Sequence, residues 1–563
     1  MSGSSNEARW TDALPVAELL TGRPRLLKSG GAHVALFLSE SGAVRAVDNR
    51  CPHEGYPLIQ GYVRGETLTC AWHNYKFDLC TGACLVGDEA VRTYPVRIVD
   101  GMIQVDLAPE DLMASLARRW ESLEGALIHR RQGQIARDVV RLLDAGVTPE
   151  AIAAFGSAFD ADHAEFGLTH VTAVLTDALE WLPTHPGLSA ALPLMQGLDL
   201  ASESNTRRPR RQRPAPIACG PEAGAQFRAA VEAEAAEEAE GLLRGALATG
   251  VPIAVIDDWL HHALADHFLD FGHPLIYQSK ILALLDAAGP EHADAILGGH
   301  VFGIVLGTRE DTLPRWTKYR RLVETLDLDA LAASPRGGRL HRQALVDCDG
   351  ATAMEVVLGC DAPYAQIADA LVEAGAERML RYDLAVEERI DVQDDWLSVT
   401  HRLTFAEAVR EAVLRWESPR ALLLLMQAAY FIGRARRLDG PPAPREARQG
   451  GPGALAAALE RGDRDAAIGV ALGLIEGGRA EALRETLMAR CLADRVVRPI
   501  VVGHLMKTTI AAFREHARTG SAAPPLAVVR LMASPVRERR IQRRVHEAIR
   551  LHVDGKPPVV LGD

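Results

Sequence analysis

The sequence of 563 residues has few of the features that mark secreted, membrane or nucleic-acid-binding proteins. Its eight cysteines are too sparse for a disulfide framework. It has no apolar N-terminal stretch and no run of about 18 apolar residues, so we expect no signal peptide and no membrane span. The net charge of −12 argues against general nucleic-acid binding, which usually leaves a basic footprint. These absences favour a protein of the reducing cytoplasm.

The composition and periodicity of the sequence divide the chain into two parts. Residues 1–108 contain short alternating segments separated by Gly, Asp and Asn turns, which predicts β-strands. Residues 109–563 are rich in Ala, Leu, Glu and Arg, with apolar residues every three or four positions, which predicts helices. The predicted fold is therefore multidomain α+β, with a small all-β domain followed by a large all-α domain.

Two segments of the predicted helical domain have the composition of linkers. Residues 201–221 are polar, basic and Pro-rich, and residues 438–453 are rich in Pro and Gly. The first contains a basic run from Arg207 to Arg213, which we interpret as a solvated loop.

The β-rich part contains two pairs of cysteine and histidine. Cys51-Pro52-His53 is followed, after sixteen residues, by Cys70-Ala71-Trp72-His73. Two thiolates can hold one iron of a [2Fe–2S] cluster while two imidazoles hold the other, and neutral nitrogen in place of anionic sulfur raises the reduction potential. Zinc also takes two Cys and two His ligands, but zinc fingers pair Cys with Cys and His with His rather than mixing them.

The sequence around these pairs resembles the Rieske ferredoxins and the Rieske domains of ring-hydroxylating oxygenases. The resemblance covers residues 9 to 108, and it includes Trp72 and the Thr81-Gly82 turn. It implies a [2Fe–2S] cluster held by Cys51, His53, Cys70 and His73.

Differences from other Rieske proteins indicate which type of cluster centre this sequence resembles. The positions of the extra disulfide found in Rieske proteins of cytochrome bc complexes are Tyr56 and Trp72 here, and Asn74 replaces a usual glycine. An oxygenase-type centre is implied. Cys80 and Cys84 lie beyond the motif, and we interpret them as ordinary buried thiols.

Several histidines of the helical part lie in apolar surroundings. Four of them have an apolar residue four positions earlier in a predicted helix, and these are His170, His300, His401 and His504. His273 shares with them a preceding small or β-branched residue. Neutral imidazole is a common metal ligand and a good acid or base near pH 7. We therefore predict that these five line a catalytic site, with Glu165 and Asp395 as nearby carboxylates, although any one of them is also compatible with ordinary core packing.

Three helical segments resemble the questin oxidase-like proteins, which are associated with Baeyer–Villiger-type cleavage of polyketide quinones. These segments are residues 163–182, 271–303 and 396–413, where histidine precedes apolar residues on Ala-rich helices. The combined interpretation is an oxygenase in which the cluster receives electrons from a reductase and passes them to a His-rich site. That site, with a second, non-haem iron as a candidate cofactor, would use O₂ to oxidise an apolar or aromatic small molecule.

Four alternatives remain open from the sequence. Asp258, His261 and His267 match the two-His, one-carboxylate spacing of Rieske oxygenases, but Asp258 and His267 would point to opposite sides of one helix. The protein would otherwise be a ferredoxin-type electron carrier with a helical interaction scaffold, or a redox sensor in which the cluster gates helix packing. The fourth alternative is haem bound by two of the histidines. Each alternative is compatible with an oligomer.

Overall fold

The computed structural model describes residues 9–205, 208–416, 418–443, 445–537, 540–557 and 559–561. The chain forms two compact units, one up to Val147 and one from Thr148 onward. The prediction of a small β domain followed by a mostly helical part is confirmed.

The first unit contains short antiparallel strands, as the alternating segments predict. In chain order they are β1 (Trp10–Pro15), β2 (Arg25–Ser29), β3 (Ala32–Leu38), β4 (Val44–Asp48), β5 (Tyr62–Arg64), β6 (Thr67–Thr69), β7 (Lys76–Asp78), β8 (Val96–Val99) and β9 (Met102–Asp106). They form three three-stranded sheets with the orders β1-β9-β8, β2-β3-β4 and β5-β6-β7. β3 is central in its sheet and contributes buried residues to both hydrophobic clusters of the unit, which suits its almost continuous apolar sequence.

One turn of this unit requires glycine. Gly82 has a φ of +77°, and a Cβ there would lie 2.0 Å from the carbonyl oxygen of Val91. The amide of Val91 donates in turn to the carbonyl of Gly82, so the two backbones are in direct contact. Only glycine fits this combination of left-handed backbone and close approach.

Two helices follow the strands within the same unit. They are α1 (Leu112–Ile128) and α2 (Gln132–Asp144), and they pack against each other. Asp111 caps α1 by accepting a hydrogen bond from the amide of Ala114. The strands end at Asp106, near residue 108, where the sequence predicts the change from strands to helices. The compact unit, in contrast, continues to Val147.

The second unit is built from α-helices. In chain order they are α3 (Pro149–His163), α4 (Val171–Leu179), α5 (Ala191–Ser204), α6 (Ala223–Glu232), α7 (Ala236–Ala248), α8 (Ile253–Asp266), α9 (His273–Ala288), α10 (Ala293–Leu306), α11 (Thr317–Val323), α12 (Leu328–Ala333), α13 (Gly350–Gly359), α14 (Tyr364–Arg381), α15 (Leu384–Glu388), α16 (Trp396–Arg415), α17 (Ala421–Arg434), α18 (Pro452–Arg461), α19 (Arg464–Glu476), α20 (Ala480–Cys491), α21 (Pro499–Thr519), α22 (Ala523–Met532) and α23 (Ile541–Asp554). None of the helices in the described residues is long and apolar enough to cross a membrane.

Four of these helices form a closed cycle of packed pairs. α4 packs on α9, α9 on α16, α16 on α21, and α21 on α4. α16 and α21 are buried over most of their length, which explains why their apolar residues do not fall on a single face. Side chains that point toward the centre of this cycle come from four distant parts of the sequence.

The segments predicted as linkers are irregular over much of their length, but they are held in place. α5 extends to Ser204, and residues 208–220 then run without a helix or strand. The basic run is a loop that is exposed at Arg208, Arg210 and Gln212, as the prediction of a solvated loop requires. The loop is also anchored, because Arg210 and Arg213 pair with buried Asp162, and Arg211 with buried Glu240. Residues 206, 207 and 444 lie outside the described residues, so nothing is said of Arg207.

The second predicted linker, residues 438–453, is also held in place by an ion pair. Its irregular part ends where α18 begins at Pro452. Arg445 forms two hydrogen bonds of 2.7 Å with the carboxylate of Glu377 on α14. A bidentate pair of this kind fixes geometry as well as charge.

Candidate redox and metal sites

Two loops of the first unit carry the predicted cluster ligands, and they share one backbone pattern. The amide of Cys51 donates to the carbonyl of Tyr56 at 2.9 Å, and the amide of Cys70 donates to that of Tyr75 at 2.8 Å. The residue four positions after each cysteine is left-handed, with φ values of +74° at Gly55 and +59° at Asn74. Asparagine tolerates this conformation better than most residues, which explains how Asn74 replaces glycine.

The four predicted ligands converge between these loops. Cys51 and Cys70 are buried, and the His53 and His73 rings lie with centroids 4.9 Å apart. Burial raises the pKa of the Cys51 thiol to about 11, and neighbouring Cys70 adds to the effect. A thiol of this kind is deprotonated readily only when its sulfur binds a metal. A dry pair of thiols beside a pair of imidazoles is the donor set that a Rieske cluster requires, so the residues fit the group.

The histidine edge of the site is accessible to solvent. The His73 side chain is 41% exposed and that of His53 19% exposed. Glu54 lies 4.0 Å from His53 Nε2 and 3.8 Å from His73 Nδ1. Electrons therefore have a solvent-facing edge by which to enter or leave a cluster in these loops.

Aromatic stacking connects the two loops at the positions of the absent disulfide. The Tyr56 and Trp72 rings lie 5.4 Å apart with an interplanar angle of 12°. Trp72 remains exposed. Cys80 is exposed, so its interpretation as a buried thiol was wrong, whereas Cys84 is partly buried and packs against a hydrophobic cluster of this unit. Both belong to the loop that follows β7, where the backbone approaches the surface.

In the second unit, four of the five predicted histidines form one group. His170 precedes α4, His273 is the first residue of α9, His401 lies on α16 and His504 on α21. One ring nitrogen from each of His170, His401 and His504 lies within 4.8 Å of the other two. His273 Nε2 lies 3.1 Å from His170 Nε2, and the His273 ring centroid lies 4.4 Å from that of His401.

Local backbone structure places His273 in this group. Phe271 and Gly272 are left-handed, with φ values of +56° and +85°, and α9 begins directly after them. The chain therefore turns immediately before the histidine, and Pro274 is accommodated in the first helical turn. His273 consequently enters the group from the end of a helix rather than from its side.

The hydrogen bonds of His504 leave one nitrogen available. Its Nδ1 lies 2.7 Å from the carbonyl of Ile500 and must donate to it, since a carbonyl can only accept. Its buried Nε2 has no hydrogen-bond partner among the described residues. Metal-bound histidines commonly anchor one nitrogen on a backbone carbonyl in this way while the other binds the metal.

The charge state of the group also suits a metal. Burial lowers the pKa of His170, His401 and His504 well below the usual value, and that of His273 to about 3. The nearby ammonium of Lys507 lowers them further. These imidazoles are therefore neutral near pH 7, which is the form that binds metals.

Two further polar residues border the group, and the sequence interpretation missed both. Tyr277 Oη lies 3.3 Å from His170 Nδ1, and Lys507 Nζ lies 3.2 Å from His401 Nε2. Tyr277 comes four residues after His273, and Lys507 three residues after His504. Residues at these spacings share a helix face, so the helical period contained the signal.

His300 lies in a different environment from the other four. The charges that most influence its ring are those of Asp257 and His261, and burial lowers its pKa to about 3. Glu165 pairs with Arg208, and Asp395 caps α16 and pairs with Arg540. The structure therefore places neither carboxylate in the histidine group.

The alternative iron ligands Asp258, His261 and His267 do not converge. Asp258 accepts a hydrogen bond of 2.7 Å from the Trp416 indole, and His261 Nδ1 lies 3.1 Å from Asp257. The His267 ring lies between two other carboxylates, those of Glu232 and Asp311, each 3.0 Å away. Each of the three residues thus has its own partners.

Comparison with known proteins identifies relatives of the first unit. The family model described as "Rieske [2Fe-2S] domain" matches residues 9–96. The ferredoxin component of a naphthalene 1,2-dioxygenase system from Pseudomonas putida is 31% identical over 102 residues, which are 18% of this chain and 97% of that protein. A 4beta-methylsterol monooxygenase from Methylococcus capsulatus is 37% identical over 95 residues, but the match spans only 26% of that protein and 14% of this chain.

A solved structure gives a similar match. The ferredoxin of Sphingomonas yanoikuyae B1 is 30% identical, with 17% of this chain and 98% of that chain covered and a TM-score of 0.17. Each of these three matches covers less than a fifth of the present chain. They therefore concern the cluster-binding unit and leave the helical unit to be interpreted from its own residues.

Proposed function

Because the chain belongs to the Rieske [2Fe–2S] family through residues 9–96, we propose that it is an oxygenase that couples this cluster to an iron site in its helical unit. The cluster is held by Cys51, His53, Cys70 and His73, and it takes up one electron at a time from a reductase. The helical unit uses these electrons to oxidise an apolar or aromatic small molecule with O₂, by chemistry of the Baeyer–Villiger type.

One observation carries the second half of this proposal. Nitrogen atoms of His170, His401 and His504 lie within 4.8 Å of one another in the interior of the helical unit. Three neutral imidazoles at this separation suit a divalent first-row metal. A non-haem iron bound there would supply the chemistry of O₂ activation. The residues of this chain hold the metal, keep bulk water away and offer Tyr277 Oη as a hydrogen-bond donor beside His170.

The arrangement also bears on access to the site. His170 and His273 are partly exposed residues, whereas His401 and His504 are buried. We interpret the first two as the side of the group that borders open space, where O₂ and substrate would approach. His273 therefore acts as an acid–base or positioning group facing the substrate rather than as a ligand.

A ferredoxin-type electron carrier is the second candidate, since the cluster unit spans 97% of a ferredoxin component. The helical unit would then be an interaction scaffold. In this case the four histidines would need no metal, and their low pKa values would reflect only burial and the nearby charge of Lys507.

The experiment that separates the two candidates is the ratio of iron to acid-labile sulfide in anaerobically purified full-length protein. The oxygenase proposal predicts about three irons for two sulfides per chain, since the cluster supplies two of each. Two irons for two sulfides, unchanged after incubation with Fe(II), would contradict it and favour the carrier. A Soret band would assign haem to the helical unit instead, although ring centroids only 4.4 to 5.9 Å apart leave little room for a porphyrin.

A further inference from the structure

Helix α2 lies beyond the residues that match the Rieske family, yet it contacts the first ligand loop. The Arg141 side chain donates through Nη2 to the carbonyl oxygen of Pro52, which stands between Cys51 and His53. Four residues earlier, Arg137 projects from the same face of the helix. An element added to the cluster domain thus reaches the loop that carries one ligand to each iron.

Both arginines share one buried carboxylate. Arg137 binds Glu89 through Nε and Nη2 at 2.8 and 2.7 Å, and Arg141 Nη1 binds it at 2.8 Å. The Glu89 side chain has no exposed surface. Arg141 Nη1 also donates to Asp138 at 2.8 Å, and Asp138 accepts a hydrogen bond from Ser122 at 2.7 Å. The network is therefore fixed from several directions, unlike a mobile surface pair.

The positive side of this network faces the ligand loop. Arg141 contacts the loop carbonyl directly, whereas Glu89 and Asp138 contact the arginines. Charges held in a poorly solvated setting act over longer distances than charges at the surface.

We propose that Arg137, Arg141 and Glu89 set the reduction potential of the cluster. Reduction adds one electron, and hence one negative charge, to the cluster, while the arginines and Glu89 keep their own charges. The two cations stabilise the reduced state, and Glu89 moderates their effect. Arg141 is in addition a positioning residue, because its bond to Pro52 fixes the backbone between two ligands. This inference concerns the cluster alone, and it stands whether or not the helical unit binds iron.

The test is a redox titration of full-length, cluster-loaded variants followed by visible and EPR spectra. Arg137→Gln and Arg141→Gln should each lower the ratio of reduced to oxidised cluster at a fixed applied potential by about three- to tenfold. Glu89→Gln should raise that ratio, because it removes a negative charge and leaves Arg137 without its carboxylate partner, while Arg141 keeps Asp138. Arg141→Lys, which keeps the charge, should retain most of the wild-type potential. Because Glu89 is fully buried and the Arg137 and Arg141 side chains are only 27% and 30% exposed, most of each shift should persist at high salt.

The matched control is Arg118→Gln, which removes an arginine of α1 that pairs with Glu110 at the surface. Its potential should equal that of the wild type. Arg137→Gln leaves the contact with Pro52 intact, so the test does not depend on Arg141→Gln assembling its cluster. The opposite signs expected for the arginine and glutamate variants separate an electrostatic role from a structural one, since loosening the loop would move all variants the same way. Shifts of the same sign, or no shift in variants with normal spectra and two irons, would overturn the proposal.

Discussion

Lys507 Nζ lies 3.2 Å from His401 Nε2, and both side chains are buried. Burial lowers the pKa of Lys507 to about 7, although the carboxylate of Asp177 acts in the other direction. An ammonium group that donates to this nitrogen and a metal ion that binds it would compete for one lone pair, and the two cations would also repel each other. Lys507 is therefore the residue of this site whose charge most directly opposes metal binding.

Replacing Lys507 with methionine should strengthen metal binding. Removal of a positive charge a few ångströms from the ligands relieves repulsion, and we expect the affinity for Co²⁺ or Fe²⁺ to rise by at least about tenfold near pH 7. Titration of protein from which the extra metal has been removed, followed by calorimetry, measures this directly. Lys318→Met, at an exposed position on α11, is the control. An unchanged affinity in Lys507→Met would mean that His401 does not face the metal.

Two ligand variants should separate the extra iron from the cluster. His401→Gln and His504→Gln should lose the iron in excess of two per chain, while sulfide and the visible spectrum of the cluster stay unchanged. His300→Gln serves as the matched control, because His300 is equally buried but lies near Asp257 and His261. Loss of the extra iron from the His300 variant alone would relocate the site to that second environment.

The cysteines offer a matched comparison within the first unit. Cys51→Ser and Cys70→Ser should abolish the reduced EPR signal of the cluster, since both sulfurs are buried between the ligand loops. Cys80→Ser should retain full iron and sulfide, because Cys80 is exposed and its Sγ lies 3.6 Å from Glu66. If Cys80→Ser also lost the cluster, the assignment of the four ligands would have to be revised.

Asp160 should make the stability of the helical unit depend on pH. Burial raises its pKa to about 7 from a usual 3.8, although it accepts hydrogen bonds from the amide and hydroxyl of Thr169. The folded state therefore binds a proton that the unfolded state releases. Its stabilising contribution is complete below about pH 4 and is lost as the pH rises to about 7, by up to about 4 kcal/mol.

Urea denaturation of the wild type and of Asp160→Asn at pH 5 and pH 8 measures this contribution. The free energy of unfolding of the variant relative to the wild type should be higher at pH 8 than at pH 5, because asparagine carries no charge at either pH. Asp369→Asn, at a half-buried position on α14, controls for the general effect of removing a carboxylate. A difference between variant and wild type that is the same at both pH values would contradict the raised pKa.

The cluster site follows from the sequence because its information is local. Each pair of ligands lies within four residues, so spacing and residue type suffice to define the loops. The histidine group differs in this respect. His300 has apolar residues at the same spacing as His170 and His401. It nevertheless faces other residues, because which helices pack together depends on contacts between segments far apart in the chain. The role of Asp395 as a helix cap was likewise not evident from the sequence, since a carboxylate that is close to a histidine in sequence need not face that histidine.

The contact between α2 and the ligand loop has a consequence for dissecting this protein. A fragment cut at residue 96 would keep all four cluster ligands and Glu89, but it would lose Arg137 and Arg141. Glu89 would then lack the partners that neutralise it, and the carbonyl of Pro52 would lose its donor. Residues 9–147 contain the whole network, so they are the part of the chain to transfer to another protein when the redox behaviour of the cluster is to be kept.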